Sequence, residues 1–120
     1  MKLGLHINRF QWEAGPERFG PTLAAMAQAA EDAGFDTIAV ADHVWQHPIL
    51  GGTEGPSLEC YSTLAFLAAH TQRVNLVALA TPVSYRYPGM LVKTVTTLDV
   101  LSEGRAWLGI GTGDYEEEAR

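Results

Sequence analysis

The sequence predicts an α/β fold of parallel strands joined by helices, equivalent to the first half of a TIM-type (β/α) barrel. Four short apolar runs begin near Leu3, Thr37, Val74 and Arg105, and each pair is separated by one segment with the apolar spacing of a helix. This order is typical of parallel sheets with right-handed crossovers. A complete barrel takes about 250 residues, so the 120 residues of this chain predict four strands and three helices, a single half-barrel domain over residues 1–120.

Each element of this order has its own sequence signal. Residues 3–7 predict a first strand, and a long loop leads to a helix with Pro21 in its first position, where proline is favoured, and Gly34 at its end. The second strand, residues 38–41, is apolar without alternation, which is typical of a parallel strand covered by helices on both faces. Because ligand sites lie at the C-terminal ends of parallel strands, the residues after this strand are the first candidates for chemistry.

The rest of the chain repeats the pattern. The predicted elements are a loop over residues 44–57, a helix with Ser57 as N-cap that ends near residue 70, a strand over residues 74–80, a loop over residues 81–88, a helix ended by Gly104 and a strand over residues 106–110. Asp114 and Glu117 then have the spacing of a capping box. We expect a fourth helix to begin there, with residues 116–118 as a solvated turn.

Composition excludes several classes of function. The chain has 14 acidic and 8 basic residues, and no basic patch that could bind nucleic acid. No segment approaches the roughly 20 apolar residues of a membrane span, and the first residues lack the apolar core of a signal peptide. The single cysteine, Cys60, fits a reducing compartment. We therefore expect a cytoplasmic protein that acts on a small molecule.

Asp42 and His43 follow the second strand directly. An imidazole titrates near neutral pH, so His43 is a candidate for proton transfer; a surface or hydrogen-bonded histidine is the alternative. His6, at the end of the first strand, could join the pair in a metal site, although a third well-spaced histidine or cysteine is missing.

Two further stretches lie at strand ends. The glycines of residues 109–113 let a ligand approach the backbone beside a helix N-terminus, and Asp114 is either an N-cap or a carboxylate that contacts a ligand. Pro82 ends the pairing of the third strand, since proline lacks a donor. Tyr85 either faces the site or packs the barrel rim.

Four segments of the chain carry a family resemblance. They are Ala41-Asp42-His43, residues 81–88, residues 96–105 and residues 108–113. Together they resemble the bacterial luciferase-like family, most closely its oxidoreductases that use the deazaflavin coenzyme F-420. The resemblance covers essentially all of the chain but only the first half of such a protein, and Leu-Asp-Val-Leu-Ser-Glu-Gly-Arg at residues 98–105 is its most specific part.

The resemblance implies a (β/α) barrel with the flavin or deazaflavin ring across the C-terminal strand ends. Asp42 would contact the ring, and His43 would lie near its reactive carbon as proton donor or substrate contact. A non-prolyl cis peptide would fall at the Pro82-Val83 bond. The other residues expected at the cofactor are Tyr85, Gly111, Thr112 and Gly113. Asp114 stands where a glutamate acts as base in sugar-phosphate dehydrogenases of this branch.

The predicted function is hydride transfer between coenzyme F-420 and a small organic substrate, an alcohol or an activated alkene. A monooxygenase that uses reduced FMN is the alternative within the family. A metal-dependent barrel hydrolase and a non-catalytic half-barrel are the alternatives outside it. The exposed edge strands predict a covering partner, either a missing C-terminal half or another copy in a homo-oligomer.

Overall fold

The computed structural model describes residues 1–113 and Glu118, and its strands and helices alternate as the sequence predicts. The strands are β1 (Gly4–Ile7), β2 (Thr37–Val40), β3 (Asn75–Ala78), β4 (Thr81–Pro82), β5 (Ala106–Trp107) and β6 (Ile110–Gly111). The helices are α1 (Phe19–Asp32), α2 (Cys60–His70) and α3 (Pro88–Leu101), with short 3-10 turns at Pro16–Arg18, Pro48–Leu50 and Gly52–Glu54. Within the described residues, no helix has the length and apolar character needed to cross a membrane.

The main sheet has four parallel strands in the order β1-β2-β3-β5. Leu5 of β1 stands beside Ile38 of β2, and Ile38 stands beside Leu76 of β3. Leu76 in turn stands beside Ala106 of β5. Because the strands are parallel, their C-terminal ends meet at one edge, and the connections between them must cross over. The predicted α/β fold with a parallel sheet is confirmed.

The strands β4 and β6 extend this edge beyond the main sheet. They pair in parallel, with Pro82 beside Gly111. The third and fourth strands are therefore each broken in two, where the sequence predicted one continuous strand over residues 74–80 and another over 106–110. The break follows a change of partner, since the Leu79 N–H donates to Val40 of β2 whereas the Thr81 N–H donates to Gly109.

The helices pack against one face of the sheet. Ile38 and Val40 of β2 and Leu76 of β3 are buried in one cluster with residues from all three helices. The principal helix residues of this cluster are Leu23 and Ala27 of α1, Leu64, Leu67 and Ala68 of α2, and Leu91 and Leu98 of α3. Val77 on the other face of β3 is only partly buried. In the described part of the chain, this second face of β3 is therefore left partly open.

Two helices begin at positions that differ from those predicted. Helix α1 begins at Phe19, so Pro21 occupies the third helical position rather than the first. Helix α2 begins at Cys60, and its N-cap is Glu59 rather than Ser57. The reason is that the Glu59 carboxylate accepts a hydrogen bond from the Ser62 N–H at 2.7 Å, as an N-cap side chain does.

The side chain of Glu31 holds the edge of the sheet opposite the C-terminal ends of the strands. The buried Glu31 carboxylate accepts hydrogen bonds from the backbone N–H groups of Gln72, Arg73 and Val74 at 2.6 to 3.0 Å. Burial alone would raise the pKa of Glu31, but these three hydrogen bonds outweigh it and lower the pKa. Glu31 therefore ties the end of α1 to the turn that leads into β3.

Candidate functional site

The candidate site lies where the C-terminal ends of β2, β4 and β6 meet. His43 follows β2 by three residues and forms part of the wall of two adjacent clefts. We call them the glycine cleft, which β4 and β6 line, and the arginine cleft, which Arg86 lines. The position of His43 between them agrees with the expectation that chemistry lies at the strand ends.

The glycine cleft has a volume of about 300 Å³. Its lining residues are His43, Leu79, Ala80, Pro82, Gly111, Thr112 and Gly113. Five of these seven were predicted as site residues from the sequence. They are brought together because β4 pairs with β6, which places Pro82 beside Gly111. Val83 contributes through its backbone, whose N–H donates to the Gly111 carbonyl at 3.0 Å, while its side chain is exposed.

Glycines at positions 109 and 113 let the backbone around β6 lie close to β3 and β4. A Cβ atom at position 109 would lie 2.1 Å from the carbonyl oxygen of Ala78, so no side chain fits there. Gly113 has a φ of +82°, and a Cβ at this position would lie 3.3 Å from the Cβ of Pro82. The glycine-rich stretch is therefore required first by the backbone geometry of the cleft wall.

The cis peptide bond lies between Leu79 and Ala80. The prediction that it falls at Pro82-Val83 is wrong. The sequence placed the end of the third strand at Ala80, whereas β3 ends at Ala78, so the bond that follows the strand comes three residues earlier than predicted. Leu79 and Ala80 both line the glycine cleft.

The arginine cleft has a volume of about 380 Å³ and is built around an ion-pair network. Asp42 is only 3% exposed, and its two carboxylate oxygens accept hydrogen bonds from Arg86 at 2.5 and 3.0 Å. The same guanidinium donates to Glu59 at 2.7 Å and lies 4.9 Å from the ring centre of Tyr61. Asp42 is thus held by Arg86 and faces the arginine cleft rather than the glycine cleft.

The two carboxylates keep Arg86 charged despite its partial burial. Burial alone would lower the pKa of Arg86, but the hydrogen bonds and charges of Asp42 and Glu59 raise it above its usual range. Since Glu59 also caps α2, the network links the loop after β2, the loop after β4 and the start of α2. No pattern in the sequence predicts this pairing of Arg86 with Asp42.

Glu118 is the residue of the site that sequence reasoning missed. Its side chain is fully buried, although the sequence predicted a solvated turn over residues 116–118. Its carboxylate accepts hydrogen bonds from His43 Nδ1 at 2.9 Å, from the backbone N–H groups of Val44 and Trp45 at 2.7 and 3.1 Å, and from the Tyr85 hydroxyl. The solvated-turn prediction is therefore wrong for Glu118.

These contacts keep Glu118 ionised. Burial alone would raise the pKa of Glu118, but the hydrogen bonds from His43, Tyr85 and the Trp45 N–H lower it. Tyr85 is bound to the site through this carboxylate, which excludes the alternative in which it only packs the rim. One donor in the same loop, the Trp45 indole N–H, is buried and has no hydrogen-bond partner among the described residues.

The alternative metal site at His6, Asp42 and His43 is not formed. In the part of the chain that the structure describes, no group of three or more histidine, cysteine, aspartate or glutamate side chains is arranged to hold a metal ion. Asp42 is paired with Arg86 instead. Partial burial and the nearby His43 lower the pKa of His6. Asp114 and the helix predicted to begin there lie outside the described residues.

Comparison with known proteins gives one family and several relatives. The sequence matches the family model described as luciferase-like monooxygenase over residues 6–120. It is similar to an F420-dependent glucose-6-phosphate dehydrogenase of Nakamurella multipartita, with 40% identity over 114 residues that cover 92% of this chain and 32% of that protein. The chain thus spans about a third of the length of the curated relatives it matches.

Solved structures show the same fold. The monooxygenase RslO1 from Streptomyces bottropensis aligns with a TM-score of 0.82 and 28% identity, over 98% of this chain and 35% of that one. The FMN-bound oxygenating constituent of 3,6-diketocamphane monooxygenase from Pseudomonas putida aligns with a TM-score of 0.79 and 22% identity, over 99% of this chain and 32% of that one. At 22% identity, the likeness to this second structure concerns the fold alone.

Proposed function

The chain belongs to the luciferase-like monooxygenase family, and from this membership we propose that residues 1–120 form the N-terminal half of a (β/α)8 barrel. The exposed apolar residues of the last strands support this proposal, since Trp107, Leu108 and Ile110 are 41 to 56% exposed. Apolar side chains beside a strand edge need a cover. The second half of a barrel, or another copy of the chain, would provide it. The buried, unpaired Cys60 also fits a cytoplasmic location.

We propose that this domain takes part in hydride transfer between coenzyme F-420 and a small organic substrate. The observation that carries the proposal is the glycine cleft, where an imidazole meets a wall of glycine backbone, Pro82 and Ala80. The described residues fit a flat ring, because glycines at positions 111 and 113 leave that wall without side chains. The relative from Nakamurella multipartita, whose name specifies F420 dependence, supports this choice of cofactor.

In this proposal Pro82, Gly111, Thr112 and Gly113 border the ring, and Val83 holds β4 against β6 through its backbone. Tyr85 and Asp42 act from the arginine cleft. Both side chains already have partners, so their contact with the cofactor depends on the geometry of Glu118 and Arg86. When bound, the deazaflavin ring supplies the hydride chemistry that no side chain provides.

His43 is the proposed proton-transfer residue. An alcohol that loses a hydride also loses its hydroxyl proton, and a neutral imidazole accepts that proton; in the reverse direction the imidazolium returns it. His43 stands at the junction of both clefts, which suits contact with a substrate that lies against the ring. Asp114 is proposed as a second proton donor or acceptor. This proposal rests only on its position directly after Gly113 in the sequence.

A reduced-FMN monooxygenase is the second candidate. It is favoured by the likeness to RslO1, which is a monooxygenase and has the highest TM-score among the structures compared above. The two candidates differ in their co-substrate, because a monooxygenase consumes dioxygen whereas hydride transfer from an alcohol to the coenzyme, or from the coenzyme to an alkene, does not. Oxygen uptake with reduced FMN would therefore separate them.

The experiment that tests the proposal is a fluorescence titration of coenzyme F-420 with the purified chain, repeated with FMN. We expect saturable binding that is selective for F-420. Gly111→Val adds a branched side chain to the wall of the glycine cleft and should abolish binding. Gly89→Val, at a helical position with open space around it, is the matched control and should bind normally. Equal binding by both variants would show that the ring lies elsewhere, and selective binding of FMN would favour the monooxygenase.

A further inference from the structure

The carboxylate of Glu118 bonds both the backbone of a loop and two side chains of the candidate site. Its buried carboxylate accepts four hydrogen bonds, two from backbone N–H groups of the loop after β2 and two from the side chains of His43 and Tyr85. The backbone bonds fix the loop that carries His43. The side-chain bonds connect the carboxylate to the imidazole itself, and this second set needs an explanation beyond loop anchoring.

The chemistry of the groups determines which imidazole nitrogen carries a proton. An ionised carboxylate has no proton to donate, so His43 Nδ1 must be the donor in the 2.9 Å contact. In a neutral imidazole only one nitrogen is protonated, and the other is an acceptor. Nε2 is therefore the nitrogen that can take up a proton from a ligand.

We propose that Glu118 is a positioning residue for His43, whose carboxylate holds the imidazole with Nδ1 protonated and leaves Nε2 to exchange a proton with the substrate. The catalytic meaning of this arrangement rests on the proposed function. The arrangement itself does not, because the hydrogen bonds of Glu118 that define it are made with residues of this chain. Tyr85 shares the carboxylate and limits its rotation, so that the oxygen facing His43 keeps its place.

The first test reads the tautomer of His43 directly. Nitrogen-proton correlation spectra of the full chain with labelled histidine, recorded at a pH where the imidazole is neutral, should show His43 with a protonated Nδ1 and an unprotonated Nε2. This measurement needs neither a variant nor a cofactor. A His43 that is protonated at Nε2 in the unaltered chain would overturn the proposal.

The second test replaces the carboxylate. In Glu118→Gln the side-chain amide can donate to Nδ1, and a hydrogen bond to a charged group is lost, so the ratio of the two tautomers should shift by about tenfold toward protonated Nε2. Glu54→Gln makes the same change at an exposed position of the loop after β2, which also carries His43, and should leave the ratio unchanged. A folded Glu118→Gln chain with the original tautomer would reduce Glu118 to a loop anchor and refute the proposal.

Turnover gives a separate result. If Glu118 positions His43, Glu118→Gln should lower kcat with F-420 while the affinity for the cofactor changes little. Should the chain show the predicted tautomer but no deazaflavin activity, the proposed function would fail while the positioning role stood. Loss of affinity with unchanged kcat would contradict positioning.

Discussion

The pair formed by Asp42 and Arg86 gives the sharpest prediction about stability. In Asp42→Asn the shape of the side chain is kept, but the Arg86 guanidinium loses the carboxylate that holds it at 2.5 and 3.0 Å. Breaking a buried ion pair by removing one partner costs about 3 to 5 kcal/mol, because the remaining charge is left uncompensated. Arg86 is 22% exposed and keeps its contact with Glu59, so we expect the lower end, a loss of about 3 kcal/mol in the free energy of unfolding.

A double-mutant cycle measured by urea unfolding isolates the pair. Arg86→Met alone should also destabilise the chain, since it leaves the buried Asp42 carboxylate without its partner. The double variant should lose less than the sum of the two single variants, because it leaves no buried charge unpaired. Glu59 also loses Arg86 in this variant, but its side chain is 51% exposed. Single effects that simply add would refute the reasoning. The pair of Lys2 and Asp36, whose lysine is exposed and whose aspartate is half-buried, serves as control, and its cycle should show a much smaller coupling.

The pairing of Asp42 with Arg86 also leads to a prediction about how Asp42 affects the affinity for the cofactor. If Asp42 acts through Arg86, then Asp42→Asn and Arg86→Met should weaken deazaflavin binding by similar factors, and the double variant should be little worse than either. A direct contact between Asp42 and the ring predicts instead that Asp42→Asn weakens binding whereas Arg86→Met does not. The fluorescence titration distinguishes these two outcomes.

Three further predictions concern other parts of the chain. Gly109→Ala places a Cβ 2.1 Å from the Ala78 carbonyl oxygen, so it should destabilise the chain by about 1 to 3 kcal/mol in urea unfolding; an unchanged midpoint would contradict the close approach of residue 109 to β3. The pKa of Glu31 is lowered in the folded state, so its stabilisation is present at neutral pH and is lost as the pH falls below about 4.5; Glu31→Gln should therefore be less stable at neutral pH, with a difference that narrows on acidification. His43→Ala should lower turnover by about 10²- to 10⁴-fold with little effect on cofactor binding, whereas His70→Ala, at the end of α2, should not, and equal turnover in the two variants would exclude the proton-transfer role.

Elements that repeat a local pattern could be predicted from the sequence. The order of strands and helices follows from apolar periodicity, and the lining of the glycine cleft follows from the rule that parallel strands end at one edge. His43 and residues 111–113 were predicted in this way, whereas Pro82 was placed at the cofactor by the family resemblance. For these predictions it is enough to locate the end of each strand to within a few residues.

The contacts that the sequence did not predict join residues far apart in the chain. Arg86 reaches Asp42 across 44 positions, and Glu118 reaches His43 across 75. No periodicity encodes such a pairing, and an acidic run after a glycine motif is indistinguishable from a solvated turn until the neighbouring loops are placed. The predicted position of the cis peptide was wrong for a related reason. The apolar run continues through Ala80, although the hydrogen-bonding partner of the strand changes between Leu79 and Thr81.

The most specific part of the family resemblance lies away from the chemistry. Arg105, the last residue of the segment 98–105, donates hydrogen bonds to the carbonyl oxygens of Ala68 and Thr71 at the end of α2 and to that of Val74 just before β3. Within the segment, the Ser102 hydroxyl accepts from the Arg105 N–H. The segment thus ties α2, α3 and β5 together at the edge opposite the site. The segment therefore identifies the family through contacts that stabilise the fold, and these contacts do not depend on the cofactor. The choice between F-420 and FMN must be decided from the residues of the two clefts around His43.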